Sequence, residues 1–454
     1  MVVMNRSLLT LLILILAGLS GCAESERQQA TGRGTIRALN ASPTAPNLGF
    51  LLEERVVGIA EFKNITVAVL FDDLDYNANF DYQFTGELLV TRLATVPFKL
   101  VADMDHLFIY TGTLAAPATI LWQRPLRVWD GTETVMEIEF GHLSPQLGEV
   151  DVYFAVPGTL PVAGESLATL SNGNHSAALE LVAGEYDLIL TSSGDPADIL
   201  YSSTTFTYLP STSYLATVFD GDPSLTSPIS VGLFLQSGAS VELLNADVLP
   251  TLRTFHGAFG TEAFDLYRDS DFSAPLIANV ANNEVSVSVE VPEADATYTF
   301  TPVGNIGATL HEEDLTVTAG RHNTRFLLGE VADLATTPLV DDFRWLEDST
   351  KLRVMHAAFN QQTVNIFVVK TGVDIAERLP QFFSVNYQLS TGYATFAADS
   401  YELYATTVGT RDVLAGPFAV DFTNGDVVHF ALVDTADPNV IEFIKYDHRS
   451  ATAP

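Results

Sequence analysis

The sequence predicts an all-β protein made of four related modules in tandem. A seventeen-residue stretch occurs four times without a gap, beginning at Ile36, Ile138, Leu252 and Leu352. Between the copies, short segments rich in β-branched and aromatic residues alternate with Gly, Pro, Asn, Asp and Ser, as strands alternate with turns. The copies lie roughly 100 residues apart, so each repeat is a whole domain and not one unit of a solenoid.

The strand spacing favours an antiparallel β-sandwich in each module. Module 2 shows it most clearly, with candidate strands beginning at Val150, Tyr186 and Ser213. Other candidates are Leu88–Leu93 in module 1 and the run VVHFALV from Val427 in module 4. Helical periodicity is almost absent, and many short strands at close spacing are typical of immunoglobulin-like sandwiches.

The repeats divide the chain into seven predicted segments. They are a signal peptide (1–21), a tether (22–33), four sandwich modules (34–136, 137–248, 249–350 and 351–448) and a tail (449–454). The tether is polar and contains glycine, which suits a flexible connection. After Cys22 no apolar run approaches the length of a membrane-spanning helix.

The amino terminus has the layout of a secretory signal. One positive charge precedes an apolar run, Leu8–Leu16, which is too short to span a membrane. The residues Leu19-Ser20-Gly21-Cys22 then resemble the lipobox of bacterial lipoproteins. That resemblance implies cleavage before Cys22, acylation of its thiol and amine, and a lipid anchor in the bacterial cell envelope. By the same analogy, Ala23 favours the outer membrane. A soluble secreted protein and an uncleaved anchor are the alternatives.

Composition excludes nucleic acid as a partner. The chain has 56 acidic and 22 basic residues, a formal net charge of −34. Such a field repels phosphate backbones and anionic lipid headgroups. Cys22 is the only cysteine, so no disulfide within the chain is possible. We therefore expect ordinary apolar cores surrounded by a solvated acidic surface.

A second landmark lies near the middle of each module. Phe80, Tyr186, Tyr298 and Tyr401 follow their repeat starts at similar intervals. The context of Tyr186, LVAGEY, has the leucine, glycine and tyrosine spacing of a tyrosine corner, in which the phenol bonds to backbone across a sandwich corner. We interpret these tyrosines as structural.

The clearest copies, GHLSPQLGEVDVYF from Gly141 and LVAGEYDLILTSSG from Leu181, resemble the domain-of-unknown-function family 4397. The matching residues of module 2 are His142, Ser144, Pro145, Asp151, Val152, Tyr153, Gly184, Tyr186 and Asp187. Module 1 has Asn40 in place of the histidine, and modules 3 and 4 keep the histidine but lose the Ser-Pro pair. The resemblance implies bacterial envelope or extracellular proteins with sandwich modules. It brings no activity and no functional residues.

Histidines recur at the fifth place of the repeat. His142, His256 and His356 hold this place, and Asn40 holds it in module 1. A metal site needs three or four converging ligands, and no Cys, His or acid accompanies these histidines at ligand spacing. The favoured interpretation is a structural hydrogen bond in a turn, which asparagine can also make.

An acidic stretch in module 1 is a candidate calcium site. Asp73, Asp75, Asn77, Asn79 and Asp81 place oxygen atoms at alternate positions, as calcium-binding loops do. The stretch lacks the glycine at place six and the glutamate at place twelve of such a loop. A polar turn is the favoured alternative, because the aligned segment of module 2 is already needed as a hairpin.

Nucleophilic catalysis finds no support in the motifs. The sequence contains neither a Gly-x-Ser-x-Gly elbow nor a His-Glu-x-x-His pair. Scattered serine, histidine and aspartate leave a convergent triad open. Trp122 and Trp129 could stack on sugar rings, although packing in a core or a module junction is favoured.

Together these observations predict a lipid-anchored, non-enzymatic envelope protein without a cofactor. Its modules would form an acidic rod that has a structural role or contacts an extracellular or periplasmic protein or polysaccharide. Two alternatives stay open. One is a calcium- or carbohydrate-binding envelope protein. The other is an envelope hydrolase, which requires Ser, His and an acid within hydrogen-bond reach in one cleft.

Overall fold

A computed structural model of the chain describes residues 29–221, 229–317, 320–437 and 440–450. The predicted signal peptide, Cys22 and most of the tether lie outside the described residues. Within them the chain forms β-strands and one 3-10 helical turn, Ile375–Glu377. No helix in this part of the chain is long and apolar enough to cross a membrane. The all-β prediction is confirmed.

Module 1 is a sandwich of two four-stranded sheets. Its strands are β1 (Arg33–Asn40), β2 (Leu48–Leu52), β3 (Arg55–Ala60), β4 (Val69–Asp72), β5 (Asp75–Tyr82), β6 (Thr91–Lys99), β7 (Met104–Tyr110) and β8 (Thr119–Pro125). They pair in the orders β4-β1-β7-β8 and β3-β2-β5-β6. The prediction of a strand at Leu88–Leu93 is wrong, because residues 83–90 form a loop and β6 begins at Thr91.

Module 2 has the same plan with two additional strands. Its strands are β9 (Val135–Leu143), β10 (Val150–Ala155), β11 (Ala168–Leu170), β12 (Leu179–Val182), β13 (Gly184–Ser192), β14 (Ile199–Ser202), β15 (Phe206–Tyr208), β16 (Ser213–Asp220), β17 (Ile229–Leu235) and β18 (Ser240–Leu243). The orders are β12-β9-β16-β17-β18 and β11-β10-β13-β14, and β15 also pairs with β13.

Modules 3 and 4 return to eight strands each. Module 3 contains β19 (Thr251–Phe259), β20 (Phe264–Arg268), β21 (Ile277–Val280), β22 (Val289–Glu290), β23 (Asp295–Pro302), β24 (His311–Thr316), β25 (His322–Glu330) and β26 (Asp333–Asp341). Module 4 contains β27 (Thr350–His356), β28 (Thr363–Lys370), β29 (Phe382–Asn386), β30 (Ala394–Phe396), β31 (Asp399–Thr407), β32 (Val413–Phe422), β33 (Asp426–Asp434) and β34 (Ile441–Ser450). The sheets are β22-β19-β25-β26, β21-β20-β23-β24, β30-β27-β33-β34 and β29-β28-β31-β32.

All four modules share one strand order. In modules 1, 3 and 4 the first, fourth, seventh and eighth strands form one sheet, and the second, third, fifth and sixth form the other. Module 2 keeps this order, but β15 is added before the strand that corresponds to the seventh, which is β16, and β18 is added at the edge of the first sheet. In each module the first strand pairs in parallel with this strand, which is β7, β16, β25 or β33, whereas the other neighbours pair antiparallel. The tandem sandwich prediction is confirmed. The strand order differs from that of an immunoglobulin constant domain, which places its first and second strands in one sheet.

The repeat places residues on both faces of the first strand. Its first place, occupied by Ile36, Ile138, Leu252 and Leu352, lies in the module's own core. Successive residues of a strand face opposite sides. The fourth place therefore faces a neighbouring module: Leu39, Phe255 and Met355 lie in the apolar clusters between modules, and Gly141 lies against Trp122.

These outward faces join the modules in two pairs. One apolar cluster comprises Leu39, Ala41, Ile65, Leu107, Ile109 and Trp122 of module 1 and Leu143, Leu215, Phe219 and Phe234 of module 2. A second comprises Phe255, Phe326 and Leu328 of module 3 and Met355, Ala357, Ala431 and Val433 of module 4. In each pair the two sheets that contain the first strands are stacked, so they are buried on both faces.

The two pairs also contact each other. Arg344, between β26 and β27, donates to the carbonyl oxygens of Pro43 (2.7 Å) and Ala45 (2.9 Å) in module 1. The backbone N–H of Thr85 in module 1 donates to the carbonyl oxygen of Thr395 in module 4 at 2.9 Å. The prediction of an extended rod is therefore wrong, because the first module touches the fourth.

The linkers between modules are short. They span residues 126–134, 244–250 and 342–349. The predicted boundary at 136/137 falls two residues inside β9, and the predicted end of module 4 at 448 lies two residues before the end of β34. The two middle boundaries, 248/249 and 350/351, fall in a linker and at the start of β27.

Candidate functional site

The fifth place of the repeat holds the turn after the first strand. In module 2 the buried ring of His142 pairs through Nε2 with the carbonyl oxygen of Gly148 (3.0 Å), and its Nδ1 accepts from the N–H of Ser144 (3.2 Å). In module 1, Asn40 makes the same contacts with the carbonyl oxygen six residues later (2.8 Å) and the N–H two residues later (3.0 Å). Neutral imidazole and carboxamide each offer one donor and one acceptor, which explains why both fit.

The other two histidines occupy the same buried place. His256 repeats both backbone contacts, with Glu262 at 2.8 Å and Ala258 at 3.3 Å. The ring of His356 has no hydrogen-bond partner among the described residues, and burial lowers its pKa to about 4. Burial also lowers the pKa of His142 and His256. Within the part of the chain that the structure describes, the three histidines do not form a group that could hold a metal ion.

One serine, one histidine and one acid do meet, in module 2. The hydroxyl of Ser144 donates to Asp220, and its backbone N–H donates to His142. A catalytic triad needs the histidine to take the serine proton. Here both ring nitrogens contact backbone groups, the serine is bonded to the acid, and His142 and Ser144 have no exposed surface. This cluster fixes the turn after β9.

The five residues of the calcium candidate lie in a row. Asp75, Asn77, Asn79 and Asp81 alternate along β5, and Asp73 lies in the preceding turn. Alternate residues of a strand are spaced about 6.6 Å apart, whereas calcium ligands all lie about 2.3–2.6 Å from one ion. The alternation of oxygen-bearing residues thus produces one face of a strand, and the predicted loop is not formed.

Neighbouring groups already engage these side chains. Asp73 accepts from the N–H groups of Thr31 (2.6 Å) and Gly32 (3.0 Å), and its hydrogen bonds with these two residues lower its pKa to about 2. Arg92 donates to Asp81 at 2.8 Å. Among the residues that the structure describes, no three His, Cys, Asp or Glu form a group that could hold a metal ion.

The two candidate tryptophans lie around the junction of modules 1 and 2. Trp122 is buried there, and its Nε1 donates to the carbonyl oxygen of Gly173 at 3.1 Å. Gly141 makes room for this ring, since a Cβ on it would lie 2.5 Å from the tryptophan. Half-buried Trp129 stacks on the guanidinium of Arg127 at 3.7 Å. Trp122 thus packs in a module junction, as the favoured interpretation of this residue predicts.

The landmark tyrosines all lie on the fifth strand of their modules. Tyr186 donates to the carbonyl oxygen of Val182 at 3.0 Å, four residues upstream, as in a tyrosine corner. Tyr298 and Tyr401 are buried in the cores of modules 3 and 4, and Phe80 takes the same place in module 1. Only the hydroxyl of Tyr186 makes the bond that the sequence context predicts, among the described tyrosines of this set.

A cleft of about 1110 Å³ lies between the two module pairs. Residues of all four modules line it: β2, β3 and the loop after β5 from module 1, Glu242 from module 2, Arg321 and the linker at 342–349 from module 3, and residues 392–395 from module 4. Pockets of this size hold drug-sized ligands in other proteins. It is the site that we consider for function.

One wall of the cleft carries exposed apolar side chains. Val56 and Ile59 on β3 are 68% and 62% exposed, and Val90 is 51% exposed. β3 is the edge strand of its sheet. The wall therefore combines apolar side chains with an unpaired strand edge, both open to the cleft.

A second part of the cleft surface carries ion pairs that connect three modules. Lys63 of module 1 and Arg321 of module 3 both contact the carboxylate of Glu242 in module 2, at 2.5 and 2.7 Å. Burial opposes ionisation of Glu242, but the two positive charges lower its pKa to about 2. Behind them Lys351 pairs with Asp342 at 2.7 Å. Two cations thus share one carboxylate at the cleft surface.

Sequence reasoning missed this cleft because its walls come from separate modules. One signal was available in β3, RVVGIA, where apolar residues occur on both faces of a short strand. Such a pattern indicates that the outer face also lies against something apolar or forms a binding surface.

One part of the chain matches a known protein family. Residues 250–367 match the family model described as a domain of unknown function, DUF4397. This segment covers module 3 and the start of module 4. A solved structure entitled "The Bacillus anthracis TIE protein" aligns with 9% identity over 96% of this chain and 80% of that chain, with a TM-score of 0.16. No curated protein matches the chain.

Proposed function

Starting from a chain with a DUF4397-like module at 250–367, we propose a non-enzymatic binding protein of the bacterial cell envelope. A lipid on Cys22 holds it to a membrane, with the outer membrane as the favoured site. The four-module body presents its inter-module cleft to a ligand or to a protein or polysaccharide partner. The observation that carries this proposal is the cleft of about 1110 Å³, to which all four modules contribute.

The segment between the lipid and the first strand limits how far the folded modules can lie from the membrane. From Cys22 to Arg33, where β1 begins, the chain can extend at most about 40 Å. The body is therefore confined to the space next to the membrane. The net charge of −34 keeps it from lying flat on anionic headgroups.

Lipidation is tested by labelling cells with an alkyne analogue of palmitate. We expect label on the wild type and on Ser20→Ala, which keeps a small residue before the cysteine, and none on Cys22→Ser. Release of Cys22→Ser as soluble protein would place the wild type on a membrane. Label on Cys22→Ser would contradict the assigned anchor.

Metal-independent binding is tested by melting the soluble chain from residue 29 with calcium and with EDTA. We propose that neither changes the melting temperature, because the oxygen atoms of Asp75 to Asp81 are spread along β5. A calcium-dependent increase of several degrees would favour the calcium-binding alternative. Asp75→Asn would then identify whether this strand is responsible.

A further inference from the structure

We infer that the cleft binds an amphiphilic organic anion, a molecule with an apolar body and one anionic head. This inference rests on the proposed binding function and names its ligand class. The apolar body would lie on Val56, Ile59 and Val90, and the head would lie between Lys63 and Arg321. All five residues line the same cleft.

The apolar wall exposes hydrophobic side chains to water. Val56, Ile59 and Val90 are each more than half exposed, although they line a concave site and not an isolated protrusion. Adjacent exposed apolar side chains in a cleft mark a ligand or partner surface. Leu51 on β2 extends the wall and is itself buried, which provides a firm base.

The anionic head is specified by Lys63 and Arg321, which share the carboxylate of Glu242. Lys63 and Arg321 retain one positive charge in excess after pairing with Glu242. The side chains of Lys63 and Arg321 are only partly exposed, so their field is less screened than that of surface lysines. In a chain with a net charge of −34, a local excess of positive charge distinguishes this position from the surrounding surface.

Acidic residues also line the cleft, and they are already engaged. Arg92 donates to both Asp81 and Glu54. Glu61 accepts from the side-chain amides of Asn47 and Asn64 at 3.4 and 3.2 Å. Asp341 pairs with Arg253 and Arg353, and Asp342 pairs with Lys351.

The inference is tested with the soluble chain and the fluorescent anion 8-anilinonaphthalene-1-sulfonate. We expect saturable binding that laurate displaces, that acetate does not displace, and that dodecyl maltoside displaces at least about tenfold less well than laurate. Dodecyl phosphate should compete as laurate does, since the shared chemistry is an anionic head on an apolar chain. If only one of the two competes, the head is a carboxylate or a phosphate accordingly.

Matched variants locate the binding site. Val56→Ser combined with Ile59→Ser should weaken the binding of laurate and of dodecyl maltoside about tenfold or more. Arg321→Gln should weaken the binding of the anions but not that of dodecyl maltoside. The controls are Val128→Ser, a fully accessible valine outside the cleft, and Arg33→Gln, an exposed arginine paired with Asp72. Circular dichroism melting identifies any variant that fails to fold.

The outcomes separate the ligand class from the broader proposal. Equal binding of laurate and dodecyl maltoside, both lost in the Val56 and Ile59 variant, would overturn the anion assignment and leave a ligand-binding cleft. Probe binding that no cleft variant changes would overturn the ligand assignment altogether. The lipidation experiment decides the envelope anchor independently of either result.

Discussion

Arg353 of module 4 and Asp341 of module 3 form a buried salt bridge across the junction of the second module pair. Arg253 of module 3 donates to the other oxygen of the same carboxylate at 3.0 Å and reaches Asp447 at 2.5 Å. Both arginines occupy the second place of their repeats, which faces the neighbouring module. The repeat therefore supplies the charges as well as the apolar side chains that join modules.

The first prediction concerns this shared carboxylate. Asp341→Asn should lower the free energy of unfolding by about 3–5 kcal/mol, because it leaves two buried guanidinium groups with one fewer negative charge. Urea denaturation of the soluble chain measures the change. Asp72→Asn is the control, since Asp72 and Arg33 are both more than half exposed and such pairs contribute about 1 kcal/mol or less. Equal effects of the two variants would show that burial of this pair is unimportant.

The second prediction is that a module pair is the smallest soluble unit. A fragment of residues 29–136 would expose Leu39, Leu107, Ile109 and Trp122, which are buried against module 2 in the full chain. We expect this fragment to self-associate and the fragment 29–248 to be a monomer in size-exclusion chromatography with light scattering. A stable monomer of residues 29–136 would contradict the assigned interface.

The sandwich modules could be predicted from the sequence because their strands are local patterns. The double burial of the two parallel strands of each module was also encoded there. VVHFALV from Val427 lies in β33, where every residue is buried, and a continuous apolar run signals a strand covered on both faces. The rod prediction was wrong because it assigned such apolar runs only to the core of their own module. A second covering layer was needed, and the neighbouring module provides it.

The candidate site depended on relationships that no single segment carries. Lys63, Glu242 and Arg321 are separated by 179 and 79 residues. Lys63 and Glu242 meet where modules 1 and 2 pack together, and Arg321 of module 3 joins them because the two pairs contact each other. The calcium candidate illustrates a different ambiguity of the sequence. Alternating oxygen-bearing residues satisfy both a binding loop and one face of a strand, and the strand pairing of β5 with β2 and β6 decides between them.

The third prediction is a pH dependence from His356. Burial lowers the pKa of His356 in the folded state to about 4, below its ordinary value of 6.5, so the unfolded chain binds a proton more readily between these values. Stability is therefore unaffected by this group above about pH 6.5 and falls as the pH decreases from about 6.5 to about 4. The expected loss is about 3 kcal/mol.

The matched variant is His356→Asn, because Asn40 holds the same place in module 1. The asparagine does not titrate, so any cost of a smaller side chain is independent of pH. Urea denaturation at pH 7 and pH 4.5 should show a smaller decrease in the variant than in the wild type. Parallel decreases would indicate that His356 does not titrate differently in the two states.

The fourth prediction concerns the shape of the whole body. A compact chain of this length has a radius of gyration of about 22 Å, whereas four modules end to end would give about 40 Å. Small-angle X-ray scattering on the soluble chain should yield a value near the former, because Arg344 binds the carbonyl oxygens of Pro43 and Ala45 and stacks on Phe62 at 4.5 Å. Arg344→Glu brings a negative charge to those carbonyl oxygens and should raise the radius by several ångström without lowering the stability of either pair. The control Arg33→Gln should leave it unchanged. A wild-type value near 40 Å would mean that the two pairs separate in solution, and the shared cleft would then not exist there.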